Sequence, residues 1–167
     1  MSGRPLSGFA ELAVDYSDEW YTPRWVIDAL GPFDLDPCAP LVRPFDTAER
    51  HLTLEDDGLT SDWGTDRVWL NPPYSQVEAW VRKLARHGRG TALVFARVET
   101  AYWHDTIWPH ASGVLFPRGR ISFLTAPSPQ AHNAGHNAGA PSALVAFGPE
   151  DAERLSTCPI VGAFRRP

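Results

Sequence analysis

The alternation of apolar runs with helical segments between residues 68 and 116 constrains the fold of this chain most strongly. The apolar run Val68-Trp69-Leu70 predicts a short strand, and a helix is predicted from a cap at Ser75 to a stop at Gly88. The elements predicted next are a strand over 91–96, a helix over 100–110 and a strand over 113–116. Strands that alternate with helices usually pair in parallel, so this order predicts an α/β fold with a mostly parallel sheet.

Further elements are predicted on either side of this region. Thr22 is expected to cap a helix that has Pro23 at its first position and ends at Gly31-Pro32. The run Phe33-Asp34-Leu35-Asp36 alternates apolar and acidic residues before Pro37, which predicts a short strand that feeds a loop. The remaining predictions are a short helix near 47–52 and two strands, 120–124 and 143–147, that close the sheet as an antiparallel pair.

The length of 167 residues suits one domain, which we place at residues 18–167 after an N-terminal arm of residues 1–17. Residues 126–141 are rich in Pro, Ala, Gly, His and Asn, so they are predicted to form a mobile loop. No apolar run reaches the length of a membrane span, and the first residues lack the core of a signal peptide. The chain is therefore predicted to be cytoplasmic and to have no membrane partner.

Charge and metal-ligand patterns limit the classes of partner. The net charge of −5 argues against indiscriminate binding to nucleic acid, because phosphate contacts need clustered cations, although only the local field of a binding face matters. The histidines share no ligand spacing, and Cys38 and Cys158 form no metal or redox motif, so no metal site is predicted. Neither pattern indicates an oligomeric state.

The most specific motif is Asn71-Pro72-Pro73-Tyr74, which directly follows a predicted strand. Two successive prolines fix the backbone, remove two N–H donors and force Asn71 out of the helical region, so a rigid corner with outward-facing acceptors is expected. The Asn71 side-chain oxygen and the Pro72 carbonyl could accept the two protons of a planar amine such as N6 of adenine, while Tyr74 stacks on the base. Ligands of open α/β sheets bind at the carboxyl ends of strands, which is where this motif is predicted to lie.

The chain resembles the phage and prophage Dam-type DNA N6-adenine methyltransferases. Asn71-Pro72-Pro73-Tyr74 resembles the catalytic motif of the amino-methyltransferases, and its Asn form suggests adenine N6 as the target. The other segments that carry the resemblance, in chain order, are Asp18-Glu19-Trp20-Tyr21-Thr22-Pro23, Phe33-Asp34-Leu35-Asp36-Pro37-Cys38-Ala39, Asp56-Asp57-Gly58-Leu59 with Trp63, Arg97 with Trp103, Gly119-Arg120-Ile121-Ser122-Phe123 and Pro141-Ser142-Ala143-Leu144. The resemblance implies a Rossmann-like class I methyltransferase sheet, S-adenosylmethionine as the methyl donor and DNA as the substrate.

The resemblance also implies residues that contact S-adenosylmethionine. The segment Tyr21-Thr22-Pro23 corresponds to one that contacts the methionine end of that molecule. Asp34 and Asp36, with Pro37 directly after them, end the first strand, where a carboxylate could pair with the cationic amine or sulfonium side. Asp57 resembles an acidic residue that hydrogen-bonds the adenine amine of the cofactor.

The sequence departs from many methyltransferases in one respect, and it leaves several alternative functions open. No glycine-rich loop follows the first strand, and Asp57 stands only 21 positions after Asp36, so the cofactor-binding half is expected to be shortened. Contacts to DNA are expected from Arg97, and from Arg118 and Arg120, which are expected to contact phosphates. Cytosine N4, an RNA base and a glutamine side-chain amide are alternative methyl acceptors, and a catalytically inactive DNA-binding module is the alternative from another class.

Overall fold

A computed structural model describes residues 20–124 and 139–167 of the chain. The predicted N-terminal arm, 1–17, and residues 126–138 of the predicted mobile loop lie outside the described residues. The strands are β1 (Leu35–Asp36), β2 (Arg50–His51), β3 (Val68–Leu70), β4 (Gly90–Phe95), β5 (Gly113–Pro117), β6 (Ser142–Phe147) and β7 (Gly162–Arg165). The helices are α1 (Arg24–Leu30), α2 (Val77–His87), α3 (Trp108–His110) and α4 (Pro149–Thr157), with a 3-10 turn at Tyr74–Gln76 and a π-helical stretch at Trp103–Ile107.

In the described part of the chain, the seven strands form one mixed sheet in the order β2-β1-β3-β4-β6-β5-β7. β1 pairs in parallel with β2 and β3, and β3 pairs in parallel with β4. β6 is antiparallel to both β4 and β5, and β7 is antiparallel to β5. Five strands therefore share one direction, and the predicted α/β class is confirmed.

The predicted order of strand, helix, strand, helix, strand from residue 68 onward is confirmed, but two predicted helix caps are wrong. Gln76 is the N-cap of α2 and makes no side-chain cap bond, because Ser75 lies inside the preceding 3-10 turn. Pro23 precedes α1 as its N-cap, and no side-chain cap bond is made there either. The hydroxyl of Thr22 instead faces Asn71, as described below. The C-terminal stop of α2 is as predicted, since Gly88 has the left-handed φ of 74°.

Two predicted secondary structures are also wrong. The helix expected near 47–52 is replaced by the edge strand β2, because the backbone N–H groups of Arg50 and Leu52 donate to the carbonyls of Asp34 and Asp36. Strand 120–124 does not pair with 143–147, since both edges of β6 are occupied by β4 and β5. Leu124 instead forms an isolated antiparallel bridge with Tyr21.

The sheet is buried on both faces, because alternate residues of its central strands enter two different apolar clusters. In β4, Leu93 and Phe95 belong to one cluster, whereas Ala92 and Val94 belong to the other. Side chains from α1 and α4 pack in the first cluster, and side chains from α2 and the π-helical stretch pack in the second. With both faces covered, the ends of the strands are where polar side chains can gather.

The sequence predicted neither α4 nor β7. β7 pairs with β5 at one edge of the sheet, and α4 is joined to the sheet by a buried ion pair. The Arg67 guanidinium donates from Nε to Oδ1 of Asp151 at 2.9 Å, and Asp151 is fully buried while Arg67 is 2% exposed. The Thr91 hydroxyl donates to the same carboxylate oxygen, and Arg67 also donates to the carbonyl of Pro32. The charge of Arg67 is therefore neutralised inside the fold, and the ion pair links α4 to β3 and β4.

Within residues 20–124 and 139–167, no helix has the length and apolar character needed to cross a membrane.

Candidate active site

The carboxyl ends of β1, β3, β4 and β5 meet at one edge of the sheet, because these four strands run in the same direction. Asp36 ends β1, Asn71 directly follows β3, Arg97 follows β4 and Arg118 follows β5. The topology therefore brings together residues that are far apart in the sequence. Neighbouring strands are about 4.8 Å apart, so β5 lies about 14 Å across the sheet from β3.

The Asn71 side chain is held by the segment that precedes α1. Its Nδ2 donates to the backbone carbonyl of Trp20 at 2.5 Å and to the hydroxyl of Thr22 at 3.2 Å. The Asn71 backbone carbonyl accepts from the Cys38 thiol at 3.3 Å, which joins the loop after β1 to the end of β3. Burial, together with the nearby carboxylate of Asp36, raises the pKa of that thiol, so Cys38 stays protonated and can donate.

The two prolines and Tyr74 form the corner that the sequence predicts. Pro72 is buried, and Pro73 is extended with φ −61° and ψ 133°. The Pro73 carbonyl accepts from the backbone N–H of Gln76 at 3.1 Å, which starts the 3-10 turn. Tyr74 stacks in parallel on Phe95, with ring centroids 3.7 Å apart and planes within 3°. One face of the Tyr74 ring is therefore covered, and a further flat ring would have to stack on the other face.

Asp36 is a buried carboxylate at the end of β1. It is 4% exposed, and it accepts from the Thr47 hydroxyl at 2.5 Å and from the backbone N–H of Cys38 at 3.2 Å. Burial raises the pKa of Asp36 from 3.8 to about 6, although both hydrogen bonds and the nearby Arg43 oppose the rise. The side chain is thus poised to change charge just below neutral pH.

Asp36 and Asn71 line one cleft, whose cavity volume is about 30 Å³. Its polar lining includes one acid, Asp36, one cation, Arg43, and the hydroxyls of Thr22 and Thr47. Aromatic rings from Tyr21, Phe45 and Trp69 and the prolines Pro40 and Pro44 complete the apolar part. An opposite pair of charges beside aromatic rings suits a zwitterionic ligand that also carries a flat or apolar group.

Four of the predicted cofactor residues are not among the residues that line this cleft, namely Pro23, Asp34, Pro37 and Asp57. The Asp34 carboxylate accepts from the backbone N–H of Arg67 at 2.7 Å and lies 3.6 Å from Arg89. Asp57 is exposed in a turn, with a left-handed φ of 47°. Asp34 therefore points towards the region of Arg67 and Arg89, away from Asp36.

The turn that carries Asp57 is nevertheless fitted against the end of β1. A Cβ atom at Gly58 would lie 1.8 Å from the carbonyl oxygen of Pro37, so only glycine allows this approach. Lys83 of α2 donates to the carbonyls of residues 58, 59 and 61 at 2.5–3.1 Å and so holds the turn from behind. Asp57 is thus presented next to Pro37 by a fixed backbone.

The three arginines expected to contact DNA are all exposed and follow strands that end at this edge. Arg97 has its guanidinium carbon 5.6 Å from the ring of Phe95, which itself stacks on Tyr74. Arg118 and Arg120 flank Gly119, whose φ of 86° turns the chain after β5. The backbone N–H of Arg118 donates to the carbonyl of Val161 at 2.8 Å, so this turn is anchored before β7.

Sequence reasoning missed two side chains that contribute to the site. Arg43 stands in a stretch whose structure could not be assigned from the sequence, and its position beside Asp36 depends on the loop between β1 and β2. Phe95 has the pattern of an ordinary buried strand residue, and nothing local distinguishes it as the partner of Tyr74. In the described part of the chain, no group of three or more potential metal ligands lies together.

Comparison with known proteins gives a consistent result. A family model described as DNA N-6-adenine-methyltransferase (Dam) matches residues 10–158. The DNA N-6-adenine-methyltransferase of Haemophilus phage HP1 is 28% identical over 117 residues, which cover 64% of this chain and 66% of that protein. The DNA N-6-adenine-methyltransferase of Escherichia phage T1 is 39% identical over 71 residues, which cover 40% of this chain and 29% of that protein. No solved structure matches significantly.

Proposed function

The chain belongs to the DNA N-6-adenine-methyltransferase (Dam) family, and from this premise we propose that it transfers a methyl group from S-adenosylmethionine to N6 of adenine in DNA. S-adenosylmethionine supplies the methyl group in this reaction. The fold proposed for this activity is a Rossmann-like methyltransferase sheet with a shortened cofactor-binding half. The turns and bends at residues 37–49 and 52–67, where two crossover helices would otherwise stand, support that shortening.

The observation that carries the proposal is the arrangement of Asn71 and Tyr74 at the end of β3. The side-chain nitrogen of Asn71 is already engaged by Trp20 and Thr22, which leaves the side-chain oxygen as the acceptor for an incoming amine. The target adenine is proposed to stack on the ring of Tyr74, which itself packs on Phe95. In that position the adenine can donate its N6 protons to Asn71 Oδ1 and to the Pro72 carbonyl. Those acceptors orient the nitrogen lone pair for attack on the methyl carbon.

We place the amino-acid end of S-adenosylmethionine at the cleft beside Asn71, because the lining of this cleft pairs one acid with one cation. The Asp36 carboxylate would hold the α-ammonium group, and the Arg43 guanidinium would hold the α-carboxylate. In the structure Arg43 forms an ion pair with Asp46 at 3.0 Å. Because Asp46 is exposed, Arg43 can leave this pair and bind the carboxylate of the ligand instead. Asp57, presented beside Pro37, is proposed to accept a hydrogen bond from the adenine amine of the cofactor.

The DNA would lie across the edge of the sheet that carries Asn71. Arg118 and Arg120 follow β5, which lies about 14 Å from β3 across the sheet, a distance that corresponds to roughly four base-pair steps of 3.4 Å. Arg97 is closer to the site, next to the Phe95–Tyr74 stack. Adenine N6 is inaccessible to these acceptors in a duplex, so the base would be flipped out at a cost of roughly a few kcal/mol.

The test is to incubate the protein and isotopically labelled S-adenosylmethionine in three separate reactions, one with DNA, one with RNA and one with a protein extract. Digestion of the DNA to nucleosides and mass spectrometry should give N6-methyladenine. The Asn71→Ala variant, prepared in parallel, is the control for a contaminating host methyltransferase. Recovery of N4-methylcytosine alone would refute the adenine assignment. Label in RNA or protein but not in DNA would refute the substrate, and a protein that binds DNA without any methyl transfer would refute the activity.

A further inference from the structure

The orientation of the Asn71 amide is determined by its partners. A backbone carbonyl can only accept hydrogen bonds, so the side-chain atom 2.5 Å from the Trp20 carbonyl must be the nitrogen. The second proton of the same nitrogen goes to Thr22 Oγ1 at 3.2 Å. Nitrogen and oxygen occupy opposite arms of the planar amide. With the nitrogen directed at residues 20–22, the oxygen is directed away from them.

The hydroxyl of Thr22 is available for this role because the helix does not use it. Pro23 is the N-cap of α1, and α1 has no side-chain cap bond. Thr22 is 5% exposed, so its hydroxyl is held by the protein and is largely kept from solvent. The segment around it is anchored on both sides. The Tyr21 carbonyl accepts from the backbone N–H of Leu124 at 3.0 Å, and the Trp20 ring packs edge-on against Phe123 with centroids 5.5 Å apart.

From these contacts we propose that Thr22 is a positioning residue for methyl transfer, which acts by fixing the side-chain amide of Asn71. The resemblance implied a contact between Thr22 and the methionine end of the cofactor. The hydrogen bond to Asn71 gives it a different role, at the acceptor for the target base. An amide that donates both nitrogen protons is also polarised, so its oxygen becomes a stronger acceptor. This inference rests on the proposed function, because Asn71 Oδ1 is taken as the acceptor for adenine N6.

The first test compares Thr22→Val, which keeps the shape and removes the hydroxyl, with Thr22→Ser, which keeps the hydroxyl. Thr22→Val should lower kcat on the order of tenfold, the loss expected when one hydrogen bond that orients a reacting group is removed. The affinity for S-adenosylmethionine and the KM for DNA should stay within about twofold. Thr22→Ser should restore kcat. Thr106→Val is the matched control, because Thr106 is also buried, at 2% exposed, and lies outside the site.

The second test observes the amide directly and does not depend on activity. In the parent protein both Asn71 side-chain amide protons are hydrogen-bonded, so their nuclear magnetic resonance signals should be distinct and slow to exchange with water. In Thr22→Val one of the two should exchange faster, while Thr106→Val should leave both unchanged. This result would hold even if the protein methylates no DNA. A failure of the positioning role can therefore be distinguished from a failure of the proposed function.

Three results would overturn the positioning role. Unchanged exchange of both Asn71 protons in Thr22→Val would mean that the hydroxyl does not hold the amide. A matching loss of affinity for S-adenosylmethionine would make Thr22 a cofactor contact. Equal losses of kcat in Thr22→Ser and Thr22→Val would show that packing of the side chain matters and the hydroxyl does not.

Discussion

Substitution of Asp36 by Asn should make the protein more stable and a weaker binder of S-adenosylmethionine. Asp36 is 4% exposed, and burial raises its pKa from 3.8 to about 6. The folded chain therefore binds this proton more tightly than the unfolded chain does. The contribution of Asp36 to stability is fully present below pH 3.8 and is lost as the pH rises through 6.

The size of the stability effect follows from the two pKa values. The difference between 3.8 and about 6 corresponds to about 3 kcal/mol of free energy, which the ionised side chain removes from the stability of the ligand-free protein above pH 6. Asn resembles the protonated acid in shape and is neutral at every pH. Asp36→Asn should therefore raise the free energy of unfolding by up to about 3 kcal/mol at pH 8, and by less than about 1 kcal/mol at pH 3.5.

The effect on ligand binding should be opposite in sign. A charged hydrogen bond to the α-ammonium group contributes about 1.5–3 kcal/mol, so Asp36→Asn should weaken binding at pH 8 by about 10- to 150-fold. In the parent protein the affinity should fall by about tenfold per pH unit below pH 6, because the acid must lose its proton to pair with a cation. In Asp36→Asn this dependence should disappear. His51 lies close by and remains in the variant, so its own titration is controlled for.

Urea unfolding between pH 3.5 and 8 and calorimetry with S-adenosylmethionine measure the two effects. Asp34→Asn is the matched control, because it makes the same change of charge on the same segment, while the Asp34 carboxylate faces the backbone of Arg67. The affinity of Asp34→Asn for S-adenosylmethionine should stay within about twofold of that of the parent protein. If Asp36→Asn is less stable than the parent at pH 8, the argument from desolvation fails. If it binds S-adenosylmethionine as tightly as the parent, Asp36 is not the cofactor acid.

Three other predictions follow from the contacts described above. Asn71→Ala should lower the single-turnover rate of methylation by about 10²-fold or more, with calorimetric affinity for S-adenosylmethionine within twofold, because it deletes an acceptor for the target amine; a parent-like rate would contradict the proposed mechanism. Arg118→Ala combined with Arg120→Ala should make the dependence of log affinity for DNA on log salt shallower by about 2, as measured by fluorescence anisotropy; an unchanged slope would exclude both phosphate contacts. Asp151→Ala should lower the free energy of unfolding in urea by about 3–5 kcal/mol, since it leaves the charge of Arg67 buried without its partner; a loss below about 1 kcal/mol would mean that water reaches the guanidinium.

The sequence determined the local elements and the chemistry of the corner. The apolar run before Asn71, the two prolines after it and the helical spacing beyond Gln76 are short-range patterns, so the end of β3 and α2 could be predicted within a few residues. Glycines acted in the same local way, as at Gly88, where the left-handed backbone ends α2.

Tertiary structure alone decided which strands are neighbours and which side chains meet. The alternating or apolar pattern of a strand indicates which residues are buried, but it carries no information on the partner strand, so the place of β6 between β4 and β5 could not be derived from it. For the same reason, the stacking of Phe95 on Tyr74 and the approach of Arg43 to Asp36 had no local signal. The hydrogen bond from Asn71 to Thr22 spans 49 positions. The sequence provides both groups, and only the packing of the segment before α1 against the end of β3 brings them within reach.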